Sequence, residues 1–206
     1  MKVDVLSHKG NEMKFSVDGV KPSFASALRR IMIGEVPTMA IEFVDFKKND
    51  SALADEVVAN RMGLIPLTFD EKTYNLPSEC KCEGKGCSNC QVTLVLKKKG
   101  PAMVYSGDMK STDKGVKPTY DKIPITELFE GQDIEFEAIA QLGRGKDHAK
   151  WQGAVVGYKI EDSKKDAFVF NVESISGIPV DDLVVRSSEV LEKKFDELGK
   201  NVKKLK

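Results

Sequence analysis

The apolar positions between residues 21 and 41 predict one amphipathic helix. Phe24, Leu28 and Ile31 recur at helical spacing, so their side chains share one face. Gly34 ends the periodic pattern, and Pro37 prevents the helix from resuming. We therefore expect a helix with one face for packing and another for a charged partner.

A longer helix is predicted near the C-terminal end of the chain. Asp181 and Asp182 suit its first turn, because carboxylates are favourable at a helix N-terminus. The positions that follow alternate spacings of four and three, as in a coiled-coil seam. These positions are Val184, Ser188, Leu191, Phe195, Leu198, Val202 and Leu205. The seam exceeds about 30 Å at about 1.5 Å per residue, more than the first helix can cover. We expect a helix of another polypeptide to pack on it; packing within the chain is the alternative.

Alternation of apolar and polar residues predicts strands around these helices. Met13–Val20 alternates in this way and pairs with Lys2–Leu6 in a predicted hairpin. Ala40–Phe46 has apolar residues on both faces, which predicts a strand that is covered on both sides for part of its length. Further strands are predicted at Gln91–Lys97, Met103–Tyr105, Ile134–Ala140, Val155–Ile160 and Phe168–Val172.

A third, shorter helix is predicted to open at Asn49–Ser51, where polar residues precede an apolar pattern. Leu53, Val57 and Met62 would form its buried side, and Gly63 would end it.

Composition and charge restrict the function. The chain has 206 residues, 41% of them hydrophobic, and its 32 basic and 32 acidic residues cancel. A chain that binds nucleic acid by itself normally has a basic excess, so we expect only indirect contact with DNA. No apolar run is long enough to span a membrane and no signal-peptide core is present, so a soluble, cytoplasmic chain is expected. His8 and His148 lack a matching nucleophile or second carboxylate, so catalysis is not expected.

All four cysteines fall within eleven residues. Cys80, Cys82, Cys87 and Cys90 have the spacing C-x-C-x4-C-x2-C, which suits a metal site better than a disulfide framework. Four thiolates complete the tetrahedral shell of a structural zinc. The pattern favours zinc; an iron–sulfur cluster, an empty reduced loop and disulfides are the alternatives.

Several blocks of the sequence resemble one known family. FASALRRIMIGEVPTMAIEFV resembles the signature of the alpha-type assembly subunits of DNA-directed RNA polymerase, and in particular the archaeal members of that family. SALADEVVANRMGLIPLTFD, VTLVLKKKGPAMVYSGDM and QLGRGKDHAKW resemble further blocks of that family. Bacterial alpha and the eukaryotic third-largest subunit are related members, and the cysteine loop resembles the zinc loop of the eukaryotic one.

The resemblance implies an α+β fold. An alpha-type dimerisation domain, an antiparallel sheet with packed helices, would be interrupted by an inserted mixed α/β domain that carries the cysteine knuckle. The expected boundaries are 1–46 plus 167–206 for the dimerisation domain and 47–166 for the inserted domain.

The resemblance also implies a non-catalytic role in transcription. Such subunits pair with a smaller alpha-like partner, archaeal subunit L, and the heterodimer is the platform for the large catalytic subunits and small assembly subunits. The residues implied at the pairing interface are Phe24, Leu28, Ile31, Leu191, Phe195, Leu198 and Val202. Arg29 and Arg30 would contact the second-largest catalytic subunit. In the 141–151 loop, the residues themselves favour an ordered loop in which Trp151 packs and the basic residues touch another subunit.

The chain departs from the family in two places. Gln152-Gly153 follows the tryptophan where relatives often have a proline, and no ferredoxin-like insertion lies between Ile160 and Phe168, so no cluster is expected there. A zinc-containing nucleic-acid-binding or protein-interaction module is the alternative function; a small metalloenzyme would need an open coordination position, which four cysteines do not leave.

Overall fold

The two ends of the chain build one sheet with two helices, and the middle of the chain builds separate sheets. The computed structural model describes residues 1–161 and 166–205. The sequence predicts no insertion between Ile160 and Phe168, and residues 162–165 of that stretch lie outside the described residues. The strands and helices are β1 (Lys2–Lys9), β2 (Glu12–Asp18), α1 (Pro22–Gly34), β3 (Thr38–Asn49), α2 (Asp55–Gly63), β4 (Gln91–Lys99), β5 (Ala102–Tyr105), β6 (Lys110–Ser111), β7 (Pro124–Leu128), β8 (Asp133–Gly143), β9 (Ala154–Ile160), β10 (Ala167–Ser174) and α3 (Val180–Lys203).

The first structural unit comprises 1–36 and 144–206. Its four strands are antiparallel in the order β1-β2-β10-β9, which confirms the predicted β1–β2 hairpin. Phe15 and Phe170 stack across β2 and β10 with ring centroids 5.1 Å apart, and Tyr158 of β9 packs against Phe170. Helix α1 packs on β9, α3 packs on β10 and β2, and the two helices contact each other.

The second structural unit comprises residues 37–143. Four antiparallel strands pair in the order β3-β8-β4-β6, and β5 and β7 form a separate ribbon. Side chains from alternate positions of the larger sheet are buried together with residues of α2, because every second strand residue points to the same face. The first residues of β3, from Thr38 to Ile41, are all buried, which agrees with the prediction for Ala40 and Ile41. Further along the predicted range the strand is not covered on both sides, because Phe43 is 56% exposed.

The unit boundaries differ from the expected boundaries of 1–46 plus 167–206 and 47–166. Strand β9 is expected in the inserted domain, but it pairs with β10 along its whole length and therefore belongs with the chain ends. Strand β3 pairs with β8 from Thr38 to Asn49, so its first half belongs with the middle of the chain. Strand pairing between distant segments sets both boundaries. The composition of either segment does not reveal which strand it pairs with.

The shorter helix begins later than predicted. Asn49–Ser51 does not open it, because the Asn49 amide donates to the Leu53 carbonyl oxygen (2.9 Å) and its side-chain oxygen accepts from Ser51, which holds a loop. Helix α2 starts at Asp55, and Val58, not Val57, faces the core.

Helix α3 changes its surroundings along its length. Val180, Leu183 and Ser187 are fully buried in the first unit. Beyond Leu191, which is half-buried, every described residue of the helix is exposed.

The predicted α+β class with antiparallel sheets is confirmed. Among the described helices, none combines the length and apolarity that crossing a membrane requires.

Candidate functional sites

The loop that follows β8 closes the C-terminal end of α1. The last carbonyl groups of a helix have no partner within the helix. Here the Lys146 amide donates to the Gly34 carbonyl oxygen (3.0 Å) and the Gly153 amide donates to that of Ile33 (3.4 Å). Trp151 is buried, as predicted, and the Lys150 ammonium lies 4.5 Å from its ring centroid. The loop therefore fixes the end of α1 through its own backbone.

A groove of about 550 Å³ runs between α1 and α3. We call it the α1–α3 groove; it is lined by Ala27, Arg30, Ile31, Gly34, Glu35, Lys146, Leu191, Lys194, Phe195 and Leu198. Its floor is apolar and its edges are charged. It brings together four of the seven residues expected at the pairing interface, although they are up to 167 positions apart in the sequence.

The seven predicted interface residues differ in exposure. Leu28 and Ile31 are buried within the chain, and Phe24 and Leu191 are half-buried. Phe195, Leu198 and Val202 are 63%, 58% and 48% exposed. Most of the new burial that a partner could give these seven residues would therefore come from the C-terminal half of α3.

A carboxylate between two lysines occupies one edge of the groove. Lys146 Nζ lies 3.3 Å from Glu35 Oε2, and Lys194 Nζ lies 3.3 Å from Oε1. Partial burial opposes ionisation, but hydrogen bonds from Lys194 and Lys146 outweigh it and hold the pKa of Glu35 below its usual value. Neither Glu35 nor Lys194 is predicted from the sequence, because no local pattern relates two residues so far apart in the chain.

The two adjacent arginines have different roles. Arg29 is half-buried, and its Nε–H donates to the Val156 carbonyl oxygen at 2.8 Å, so this side chain joins α1 to β9. Arg30 is exposed at the edge of the groove and forms no ion pair with any residue in the described part of the chain. Of the two, Arg30 has the guanidinium that a partner can reach more easily.

The four cysteines converge in the second unit. Their Sγ atoms all lie within 4.8 Å of one another. Four of the Sγ–Sγ separations are 3.4, 3.5, 3.6 and 3.7 Å. Four sulfurs at about 2.3 Å from a central zinc would be about 3.8 Å apart, so the cluster is close to the size of a tetrahedral thiolate shell.

Local backbone structure builds this cysteine knuckle. Gly84 and Gly86 have positive φ angles (78° and 87°), which glycine adopts without steric cost. The Cys87 amide donates to Cys90 Sγ (3.3 Å), as expected of a turn that presents two sulfurs to one ion. Cys80 and Cys90 are buried, while Cys82 and Cys87 are half-buried.

The sulfurs differ in acidity. The hydrogen bond that Cys82 and Cys80 share is the main cause that lowers the pKa of Cys82 to about 6, whereas burial raises the pKa of Cys90 to about 12. A bound cation would lower the pKa of all four thiols, because it favours the charged form. The four cysteines could hold a metal ion.

Comparison with known proteins identifies relatives that cover about three quarters of this chain. Residues 41–158, more than half of the chain, match the family described as RNA polymerase Rpb3/RpoA insert domain. The chain is 47% identical over 165 residues to DNA-directed RNA polymerase subunit Rpo3 of Methanosphaera stadtmanae, covering 77% of this chain and 61% of the relative. The protein of the same name from Pyrococcus furiosus is 48% identical over 159 residues, with 77% and 59% covered.

A third relative, DNA-directed RNA polymerase subunit Rpo3 of Archaeoglobus fulgidus, is 43% identical over 160 residues, with 77% of this chain and 61% of the relative covered. The chain thus spans about three fifths of the length of these relatives. The resemblance inferred from the sequence is confirmed: this chain belongs to the RNA polymerase Rpb3/RpoA insert-domain family.

Proposed function

We propose that this chain is a non-catalytic assembly subunit of DNA-directed RNA polymerase. It pairs with the smaller alpha-like subunit L, and the heterodimer forms the platform on which the large catalytic subunits and small assembly subunits gather in the cytoplasm. DNA is contacted only through the assembled complex. The relatives named above are polymerase subunits, which supports this assignment.

The observation that carries the proposal is the uncovered apolar surface of the first unit. Phe195, Leu198 and Val202 continue the face of α3 that is buried further toward its N-terminus. Val3 and Val5 of β1 pair with core residues of β2, yet are 54% and 61% exposed. Full burial of one large apolar side chain stabilises by about 1.5–3 kcal/mol, so covering this surface would contribute several kcal/mol to a complex.

Co-expression with the small alpha-like subunit of the same polymerase tests the pairing. The mass of the purified product, measured by light scattering, should equal one copy of each chain. Phe195→Asp with Leu198→Asp should abolish the complex without unfolding the chain, because both side chains are already exposed. Val185→Asp is the matched control, since Val185 is 56% exposed on the same helix but lies outside the seam. The proposal is contradicted if the chain remains a monomer when the small subunit is present. It is also contradicted if Val185→Asp weakens the complex as much as the double variant does.

The exposed arginine supports a second contact. We propose that Arg30 binds an acidic residue of the second-largest catalytic subunit, with Arg29 acting mainly as the link to Val156. Arg30→Glu should therefore block recovery of the large subunit in a pull-down that contains both partners, while the small subunit is still recovered. Lys21→Glu, at the exposed N-terminal end of the same helix, is the control. Normal recovery of the large subunit with Arg30→Glu refutes this contact.

The cysteine knuckle fits a structural zinc. Cys80, Cys82, Cys87 and Cys90 would be its ligands, and the ion would link the loop to the start of β4, which follows Cys90 directly. Four sulfurs complete a tetrahedral shell and leave no position for a substrate, so the metal holds structure. Native mass spectrometry should show one zinc per chain, lost in Cys82→Ser with Cys87→Ser. An iron–sulfur chromophore in the purified chain would overturn the assignment to zinc.

A further inference from the structure

The α1–α3 groove has an uneven charge. Arg30, Lys146 and Lys194 line its edges, and Glu35 is the one carboxylate among its lining residues. Both Glu35 oxygens are occupied by the two lysines, so one carboxylate serves two ammonium groups. The groove therefore combines an apolar floor with an excess of positive charge at its edge.

A second copy of this chain is poorly matched to that groove. The end of α3 that would have to enter it contains five lysines and three carboxylates between Glu192 and Lys204. Its last turn holds Lys200 and Lys203 without an acidic residue. Two copies facing each other would therefore bring positive charge to positive charge, and like charges in apposition are a source of partner discrimination.

We propose that the α1–α3 groove selects an apolar helix with acidic flanking residues from a different polypeptide, and that its charge disfavours pairing of two copies of this chain. This inference rests on the proposed assembly function and adds the chemistry by which the partner is recognised. Ile31, Leu191 and Phe195 bury the apolar side chains of that helix. Lys146 and Lys194 attract its carboxylates, and Glu35 holds both lysines at the groove edge in advance.

The apolar and charged parts of the groove contribute differently. Burial of apolar area supplies most of the affinity. Exposed charge pairs each contribute roughly 0.2–1 kcal/mol, or about two- to five-fold in affinity, and salt screens them. Two such pairs give discrimination on the order of tenfold between an acidic and a basic helix. This size is consistent with the expectation that Arg30→Glu alone leaves the heterodimer intact.

Two designed helical peptides test the proposal with the full chain. Both carry the same leucine seam; one has glutamate and the other lysine at the flanking positions. Fluorescence anisotropy should show about tenfold tighter binding of the glutamate peptide at about 0.05 M NaCl, and a smaller ratio at about 0.5 M NaCl. Lys146→Glu with Lys194→Glu should reverse the preference. Lys193→Glu, a neighbouring lysine outside the groove lining, should preserve it.

Each outcome decides the question. Equal binding of both peptides, preference for the lysine peptide, or no binding of either would overturn the proposal. If at low salt two copies of the chain associate more tightly than the chain binds the glutamate peptide, the groove would instead be assigned to a second copy. Failure of the proposed function can be distinguished from failure of the charge selection. The charge preference can hold even if the chain does not copurify with polymerase subunits. Conversely, if the polymerase subunits copurify equally well with the Lys146→Glu and Lys194→Glu variant, the proposed function stands but the charge selection is rejected.

Discussion

Replacement of Gly145 by alanine should destabilise the first unit, because the loop approaches α1 too closely for a side chain. An added Cβ would lie 2.5 Å from the Ile33 carbonyl oxygen and 3.1 Å from the Cα atoms of Gly34 and Gln152. All three neighbours are backbone atoms, so no flexible side chain can move aside. The loop must retreat, which would disturb the Lys146–Gly34 hydrogen bond and the Gly153–Ile33 hydrogen bond that close the helix.

The expected cost follows from these contacts. Overpacking of a tight site costs roughly 1–3 kcal/mol. Each weakened hydrogen bond adds up to about 1 kcal/mol, so a loss of about 2–4 kcal/mol is expected. With a urea dependence of about 1–3 kcal/mol per molar, the unfolding midpoint should fall by roughly 0.7–4 M. Trp151, the single tryptophan of the chain, is buried in the same unit and reports this transition by fluorescence.

Gly157→Ala is the matched control for this experiment. Gly157 lies in β9 of the same unit, and a Cβ there meets no heavy atom within 4 Å. Its free energy of unfolding should change by no more than about 0.5 kcal/mol, the range typical of surface substitutions. If Gly145→Ala and Gly157→Ala unfold at the same urea concentration, the loop does not close α1 in the way described.

Three further predictions concern charge, helix and metal. Glu35→Gln should destabilise the first unit by roughly 0.2–1 kcal/mol at neutral pH; because the folded pKa of Glu35 is lowered, this difference should vanish as pH falls through that pKa, and a urea titration with a persistent difference at low pH would contradict the ion-pair explanation. Gly199→Ala should stabilise α3 by about 0.5–1 kcal/mol, since a Cβ there meets nothing, and unchanged helicity by circular dichroism would speak against a formed helix at that point. If the proposed zinc is bound, its chelation should increase hydrogen exchange near Cys80–Cys90 and leave the Trp151 unfolding transition unchanged; global unfolding would show that the knuckle supports more than its own unit.

Local patterns determined most of the elements. Period-two alternation located the β1–β2 hairpin, and the glycine after Ile33 located the end of α1. The cysteine spacing identified four residues whose Sγ atoms the structure brings within 4.8 Å of one another. These succeeded because strand faces, helix ends and short chelating loops depend on residues that are close in sequence. The predicted start of α2 is too early because Asn49 and Ser51 resemble a helix start but hydrogen-bond within a loop instead.

The sequence by itself determined that α3 has an apolar seam along its whole length, but it did not determine where that seam leaves the core. Only the tertiary structure shows that Leu183 is buried, Leu191 is half-buried and Phe195 is exposed. The unit boundaries, the lysine pair around Glu35 and the use of Arg29 by β9 were likewise decided by contacts between distant segments. Burial and charge pairing depend on which segments meet in space. A one-dimensional pattern of apolar and polar positions shows which face of a segment favours burial, but not which other segment will cover that face.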